Sequence, residues 1–158
     1  MKSLFPRPNK NNKKENKMGP LKTYTPRYFA IDELVDKETM DRGEQVALWC
    51  LDLRLLWTLD ALRSSFGPAT CNDWKWGGKW QYRGFRPDSC PVGAVLSQHR
   101  FGRAADLTFR DITAEEIRVD MQKNPTRDAY QYIGGVELNV SWLHIDIRSG
   151  NDIRFFAP

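Results

Sequence analysis

The chain is poor in the residues from which metal and redox sites are usually built. Its 158 residues include two histidines and three cysteines. Cys50, Cys71 and Cys90 form no Cys-x-x-Cys pair, which argues against a cysteine-ligated zinc site. Because their number is odd and they lie in different predicted elements, we expect three unpaired thiols, as is usual in a reducing compartment.

Long apolar runs are also lacking. No stretch of 18 apolar residues is present, so the sequence predicts no membrane span. The first residues include lysines but no apolar segment of the kind found in secretory signals, so we expect no signal peptide. A hydrophobic content of 41% and an aromatic content of 12% suit one domain with a substantial core.

Acidic residues are scarce at the N-terminus. Residues 1–22 hold seven basic residues against Glu15 alone, a net charge of +6. The whole chain has 24 basic and 20 acidic residues, so residues 23–158 keep 17 and 19, a net charge of −2. We expect residues 1–22 to be a flexible basic tail and residues 23–158 a folded domain. A basic tail of this kind could bind nucleic acid, an anionic polymer or an acidic partner protein. The alternative is a solvated arm without a specific role.

Apolar spacing predicts the first helices of the domain. Residues 28–35 match an aromatic anchor followed by one helical turn. Residues 42–66 are predicted to form one long helix, which the following Gly-Pro pair ends. Trp49 and Trp57 recur at helical spacing beside leucines, so we expect both in the core and not on a ligand-stacking surface.

The remaining elements are mostly strands. Thr113 and Glu116 match a capping box, so one further helix should begin there and end near Lys123. Strands are predicted at residues 69–74, 104–109, 130–138, 141–147 and 153–156.

Both histidines lie close to an aspartate in the sequence. His99 is followed by Asp106, and His144 by Asp146. Neutral imidazole with carboxylate is a ligand combination that zinc prefers, and three protein ligands with an open fourth position mark a catalytic zinc site. His99, Asp106 and His144 would form that set, and a structural hydrogen bond within each His–Asp pair is the alternative.

The spacing is compatible with convergence of these three side chains. If a strand starts near residue 104, Asp106 lies at its middle, and Gly102 allows the turn that brings His99 back beside it. Around His144, side chains two positions apart share one face of a strand. One face would carry Trp142, His144, Asp146 and Arg148, and the other would bury Leu143, Ile145 and Ile147.

The first stretch, Ser97-x-His99-x-x-Gly102-x-Ala104-x-Asp106, resembles the SxHxxGxAxD signature of the VanY-type zinc peptidases. That family contains D-alanyl-D-alanine carboxypeptidases and phage L-alanyl-D-glutamate endopeptidases, and its fold is shared with the hedgehog signalling domain. The second stretch resembles the family's second ligand motif, in its HxDxR form. The resemblance runs from about residue 28 to residue 148. It implies an α+β fold like that of the hedgehog/D-Ala-D-Ala peptidases, with a small antiparallel sheet and helices packed on one side.

The resemblance also implies an activity and roles for the site residues. The activity would be hydrolysis of stem-peptide bonds in peptidoglycan, with zinc held by His99, Asp106 and His144. An upstream arginine stabilises the substrate in this family, and Arg86 is the position we match to it, with Arg83 as the competitor. Both lie in residues 75–87, a loop rich in glycine, aromatics and cations, which is typical of ligand-binding loops. Ser97 and Trp142 are the other candidate substrate contacts.

The residue that transfers the proton is less clear from the sequence. Carboxypeptidases of the family place an acid three residues before the second histidine, where this chain has Ser141. We favour Asp146 for this role, and Glu137 is the second candidate. Asp146 could instead orient a metal-bound histidine, which usually donates its other N–H group.

Two classes of function remain open. The first is a peptidoglycan peptidase that cuts D,D- or L,D-peptide bonds, either a phage endolysin in the host cytoplasm before lysis or a wall enzyme carried in the virion. The second is a non-enzymatic virion protein that keeps the fold. Residues 1–22 would anchor it to phage structural proteins or to an anionic polymer. The intact ligand set favours the first class, whereas Ser141 and the basic tail favour the second.

Overall fold

The computed structural model describes residues 23–158, and the predicted basic tail lies outside the described residues. The described chain is a mixed α+β domain. Its helices are α1 (Lys37–Asp41), α2 (Glu44–Trp49), α3 (Leu53–Phe66) and α4 (Ala114–Lys123). Its strands are β1 (Ala69–Thr70), β2 (Ala104–Phe109), β3 (Gly135–Glu137), β4 (Leu143–Asp146) and β5 (Arg154–Phe156). No helix in residues 23–158 is long and apolar enough to cross a membrane.

The opening segment packs as predicted. Phe29, Leu34 and Val35 are buried in the core, and a short 3-10 turn forms at Ile31–Glu33. The carboxylate of Asp60, a buried residue of α3, accepts hydrogen bonds from the Tyr24 hydroxyl and from two backbone N–H groups of residues 27 and 28. One buried acid therefore fixes the start of the described chain on α3.

The prediction of one helix over residues 42–66 is wrong. The chain forms α2 and α3 with a break at residues 50–52, where Asp52 caps α3 by accepting a hydrogen bond from Arg54 N–H. The break lies against the turn of the first histidine motif, since the backbone N–H of Asp52 donates to the Gly102 carbonyl. Trp49 ends α2 at this break and is 74% exposed, so its predicted place in the core is also wrong. Trp57 is half-buried, with its ring edge-on to Tyr132.

The five strands form one sheet in the order β1-β2-β4-β3-β5. The β1–β2, β2–β4 and β4–β3 pairs are antiparallel, whereas β5 pairs in parallel with β3. The predicted all-antiparallel sheet is therefore corrected to a mixed one. Residues 147–153 cross to the far side of β3. The chain reverses its direction once in this segment, so β5 runs antiparallel to β4 and therefore parallel to β3.

Four predicted strands are shorter in the structure. Those at residues 141–147 and 153–156 lose only end residues and become β4 and β5, whereas the other two lose more. The one at residues 69–74 ends after Thr70, because the side chain of Asn72 turns to the Val35 carbonyl and accepts from Arg83 N–H. The one at residues 130–138 is reduced to β3, since a 3-10 turn occupies Asp128–Tyr130. The capping box at Thr113 and the end of α4 at Lys123 are confirmed.

The core lies on one face of the sheet, as the alternation in the second motif predicts. Leu143, Ile145 and Ile147 are buried in a cluster that also contains leucines of α3 and Ile117 and Met121 of α4. In β2, Ala105 and Leu107 join the same cluster. The polar side chains between these residues consequently project from the opposite face.

We predict that Gly102→Ala destabilises the fold more than Gly77→Ala. Both glycines adopt left-handed backbone, with φ of 63° and 85°, which costs an ordinary residue about 1–2 kcal/mol. A Cβ at position 102 would also overlap the Cys50 carbonyl, whereas nothing lies within 4 Å of one at position 77. Urea unfolding measures both losses, and equal losses would contradict the proposed close contact.

Candidate metal centre

His99 reaches the sheet from a 3-10 turn, Gln98–Phe101, that precedes β2. The turn ends at Gly102, whose left-handed backbone and close approach to the Cys50 carbonyl exclude a side chain. His99 Nδ1 lies 2.8 Å from the Gly84 carbonyl oxygen. Because a carbonyl can only accept, Nδ1 carries the proton, and the lone pair of Nε2 is directed toward the centre.

Asp106 and His144 come from neighbouring strands in direct register. Residues paired across antiparallel strands project on the same face, so both side chains leave the sheet opposite the core. His144 Nδ1 lies 2.7 Å from Asp106 Oδ1, and His99 Nε2 lies 3.3 Å from His144 Nδ1 and 3.4 Å from Asp106 Oδ1. All three residues are buried. The structure thus brings together the three side chains that the sequence singles out.

These three residues could hold a metal ion. Two ligand atoms bonded to a tetrahedral zinc at 2.0–2.1 Å lie about 3.3 Å apart. Two of the three separations match this value, and the third, 2.7 Å, is a hydrogen bond that a metal would replace. Two imidazole nitrogens and one carboxylate oxygen, buried and converging, therefore fit a divalent transition metal.

Asp146 lies on the other side of His144. Its Oδ2 is 3.5 Å from His144 Nε2, the ring nitrogen that points away from Asp106. The carboxylate is fully buried and accepts three hydrogen bonds from Arg148, at 2.7 Å from Nε, 2.6 Å from Nη2 and 3.1 Å from the backbone N–H. A Cβ on Gly135, its partner across the strands, would come within 2.6 Å of it. This geometry favours the orienting role that the sequence left open for Asp146. A carboxylate beside His144 Nε2 keeps the proton on that nitrogen, so Nδ1 is the nitrogen that can bind a metal.

Glu137 faces the centre from β3. Gly135 pairs with Asp146 and Val136 with Ile145, so the same register carried one step further places Glu137 opposite His144. Glu137 lines a cavity of about 520 Å³ together with His99, Asp106 and His144. Among the described residues lining that cavity, Glu137 is the only acid besides Asp106. Between the two candidates for proton transfer, Glu137 is the one with access to the cavity.

Arg86 is the arginine that contacts the centre. Its Nη2 donates to Asp106 Oδ2 at 3.1 Å, and its Nε donates to the Tyr82 carbonyl at 2.6 Å. The backbone of the same loop also forms hydrogen bonds with the segments that carry His99 and Asp106. Arg86 N–H donates to the His99 carbonyl, and Asp106 N–H donates to the Arg83 carbonyl. The Arg83 side chain turns to Thr108 and to the Trp80 ring. The two arginines of the loop therefore have different surroundings.

The two predicted substrate contacts also border the centre. Ser97 and Trp142 both line the cavity that contains the three ligand residues. Trp142 additionally lines a neighbouring cavity. The indole N–H of Trp142 is buried and has no partner within residues 23–158.

Arg118 supports the centre and was missed by sequence reasoning. Its guanidinium, 2% exposed as a residue, donates to the carbonyls of Glu137, Val140 and Trp142 at 2.9, 2.8 and 2.5 Å. It thereby fixes the loop between β3 and β4, which carries Glu137 at one end and Trp142 at the other. The available signal was its place in α4: Ala114, Ile117, Arg118 and Met121 share the spacing of a buried helical face.

The charges of the centre alternate along one line of contacts. Burial alone would lower the pKa of His144, but hydrogen bonds to Asp106 and Asp146 outweigh it and raise the pKa to about 9. Burial raises the pKa of Asp106, yet the hydrogen bond from His144 holds that pKa well below its usual range. In the same way, His144 and Arg148 lower the pKa of Asp146 to about 2. Without metal, His144 is therefore a cation between two carboxylates at neutral pH.

Comparisons with known proteins give no match. No family model fits the sequence, and no curated protein or solved structure resembles it significantly. The evidence for the centre therefore comes only from contacts within this chain, and a family assignment depends on the motif resemblance alone.

We predict that zinc binds one per chain and releases about one proton at pH 7, because a metal ligand must be a neutral imidazole and His144 has a pKa of about 9 without metal. Below that pKa the apparent affinity should rise about tenfold per pH unit and then level off. Calorimetry in buffers of different ionisation enthalpy measures the proton count.

His99→Ala and His144→Ala should lose the site, with Cys50→Ala as the control. Zinc retained by His144→Ala, or no proton release, would contradict the assignment.

Proposed function

We propose that the chain is a zinc-dependent peptidase that hydrolyses an amide bond in the stem peptide of peptidoglycan. One observation carries this proposal: His99, Asp106 and His144 converge in an open cavity that Glu137, whose carboxylate pairs with no cation in residues 23–158, also lines. A purely structural metal site has four protein ligands and no such cavity, whereas a catalytic one keeps an open position. The substrate class comes from the resemblance of the two histidine motifs to the VanY-type peptidases, together with the hedgehog-like fold that the resemblance implies.

The three ligand residues would hold zinc, which when bound supplies Lewis-acid activation of water and of the amide carbonyl. Glu137 would accept a proton from the attacking water and pass it to the leaving amine. Arg86, held beside Asp106, would stabilise negative charge that develops on the carbonyl oxygen. Ser97 and Trp142 would contact the peptide from the cavity wall.

The supporting residues have a different task. Asp146, fixed by Arg148, would hold the His144 ring so that Nδ1 stays directed at the metal position. Arg118 would keep Glu137 and Trp142 at their places through the backbone carbonyls it binds. These residues shape the centre without contacting the peptide.

One of the two arguments for a non-enzymatic protein no longer applies. That alternative depended on the missing acid at Ser141 and on the basic tail. Glu137 offers a carboxylate in the cavity from another position, so the serine does not argue against catalysis. The tail lies outside the described residues. We therefore retain the peptidase, acting as a phage endolysin or as a wall enzyme carried in the virion.

We predict that the zinc-loaded protein degrades purified cell-wall sacculi, that a chelator stops the reaction, and that zinc restores it. Glu137→Gln keeps size and shape but removes the proton acceptor, so the rate should fall about 10²–10⁴-fold with zinc retained. Asp146→Asn should instead lower zinc affinity about 10–100-fold. Muropeptide release and bound zinc are measured on the same samples.

Two outcomes would change the proposal. Intact sacculi after treatment with the zinc-loaded protein would contradict the peptidase. Full activity in Glu137→Gln, with loss of activity but not of zinc in Asp146→Asn, would return the proton-transfer role to Asp146. Asp152→Asn serves as the control, because Asp152 is exposed and does not line the cavity of the centre.

A further inference from the structure

Phe156 borders the metal centre, and none of the roles proposed above uses it. It lines the cavity of about 520 Å³ that contains the three ligand residues. It lies in β5, at one edge of the sheet, where it pairs with Glu137 of β3. Its carbonyl accepts a hydrogen bond from Leu138 N–H at 2.7 Å. Because paired residues of adjacent strands project from the same face, its ring lies on the face that carries the ligands.

The neighbouring phenylalanine in β5 has different surroundings. Phe155 packs against the hydrophobic core, since adjacent residues of a strand project from opposite faces. Phe156 is also half-buried, yet it is not among the side chains of residues 23–158 that pack against that core. Core packing therefore accounts for the ring at position 155 and not for the ring at position 156.

The Phe156 ring stands nearly perpendicular to the imidazole of His144. The two centroids are 6.0 Å apart and the planes meet at 80°, an edge-to-face arrangement that aromatic pairs prefer. This contact restricts rotation of the imidazole about its Cβ–Cγ bond, a torsion that is intrinsically broad in histidine. Rotation by half a turn would place a ring carbon where Nδ1 now faces Asp106.

The other contacts of His144 hold the imidazole less firmly once a metal is bound. The 2.7 Å hydrogen bond between Nδ1 and Asp106 is the one that a metal would replace. On the opposite side, Asp146 Oδ2 lies 3.5 Å from Nε2, which is long for a hydrogen bond. The orientation of the imidazole therefore depends on a further contact, and the Phe156 ring supplies one.

The same ring lies against the guanidinium of Arg148. Arg148 Cζ is 4.7 Å from the centroid of Phe156, within the range of cation–π contact. The Arg148 side chain passes over two glycines of the β3 segment. A Cβ on Gly134 would come within 3.1 Å of its Cγ, and one on Gly135 within 2.8 Å of its Nε. One phenyl ring therefore contacts both the ligand histidine and the arginine that holds Asp146.

We propose that Phe156 is a positioning residue of the metal centre, which orients the His144 imidazole and keeps Arg148 on Asp146. The inference rests on the zinc site of the proposed function and not on its peptide substrate. An aliphatic side chain of similar volume would lose both the edge-to-face and the cation–π contact. Such a change should weaken metal binding although residue 156 is not itself a ligand.

Titration of the full chain with Co²⁺ tests this role without any substrate, because the visible absorption of Co²⁺ reports its coordination geometry. Phe156→Leu should lower the Co²⁺ affinity about tenfold, as expected for a residue that orients a metal ligand, and alter the absorption spectrum. Phe156→Tyr keeps the ring, so both properties should match those of the native chain. Phe155→Leu is the matched control on the opposite face of β5. It should lower stability in urea and leave affinity and spectrum unchanged.

A double variant tests the route through Arg148. Arg148→Gln removes the guanidinium and with it the cation–π contact. In that background Phe156→Leu should lower the Co²⁺ affinity by a smaller factor than in the native chain, because the effects of residues in contact are not additive. Strictly additive losses would contradict a role of Phe156 through Arg148.

The outcomes separate this inference from the proposed function. Unchanged affinity and spectrum in Phe156→Leu overturn the inference and leave the metal centre and the peptidase standing. Absence of Co²⁺ binding by the native chain overturns the metal centre and the inference together. If Phe156→Leu fails to fold, Phe156→Met replaces it, because an unbranched side chain adapts to irregular spaces. If both fail to fold while Phe155→Leu folds, the ring serves the fold and the inference is wrong.

Discussion

The register between β2 and β4 is the constraint on which the rest of the site depends. Ala105 pairs with Ile145 and Leu107 with Leu143, and all four are buried in the core. The residues between them must therefore face the other side, which sets Asp106 directly against a histidine of β4. A slip of one residue would exchange the two faces, burying the ligands in the core and exposing the leucines. Hydrophobic burial thus fixes the geometry of a polar centre that it does not touch.

Burying so many ionisable groups is unfavourable unless each has a partner. Here the partners form one continuous series: Arg86 binds Asp106, Asp106 binds His144, and His144 lies beside Asp146, which Arg148 holds. Carboxylates and cations alternate along it, so each charge is compensated by its neighbours. A metal would take the place of the proton between Asp106 and His144 and keep the alternation. The same contacts therefore stabilise the protein without metal and prepare the site for it.

The sequence was sufficient where local pattern decides the outcome. The alternation of residues 142–147, the capping box at Thr113 and the convergence of three side chains that could hold a metal ion all follow from spacing and residue type. The sequence was insufficient where a contact between residues far apart in the chain determines the local structure. The helix over residues 42–66 is broken because Asp52 meets the Gly102 turn, and no periodicity within the helix indicates this. The parallel pairing of β5 with β3 likewise depends on the path of a loop and not on the strand itself.

The choice between Asp146 and Glu137 shows the same limit in chemical terms. Both carboxylates lie close to His144 on one face of the sheet, and the sequence favoured Asp146 only because it is the nearer of the two along the chain. The difference is in their surroundings: Asp146 is fully buried and paired with Arg148, whereas the Glu137 carboxylate borders the cavity and pairs with no cation in residues 23–158. A carboxylate held ionised between a histidine and an arginine has no room to exchange protons with water, and one at the cavity wall does. Arg118 binds the backbone carbonyl of Glu137 and not its carboxylate, so the position of the residue is fixed while its carboxylate pairs with no cation in residues 23–158.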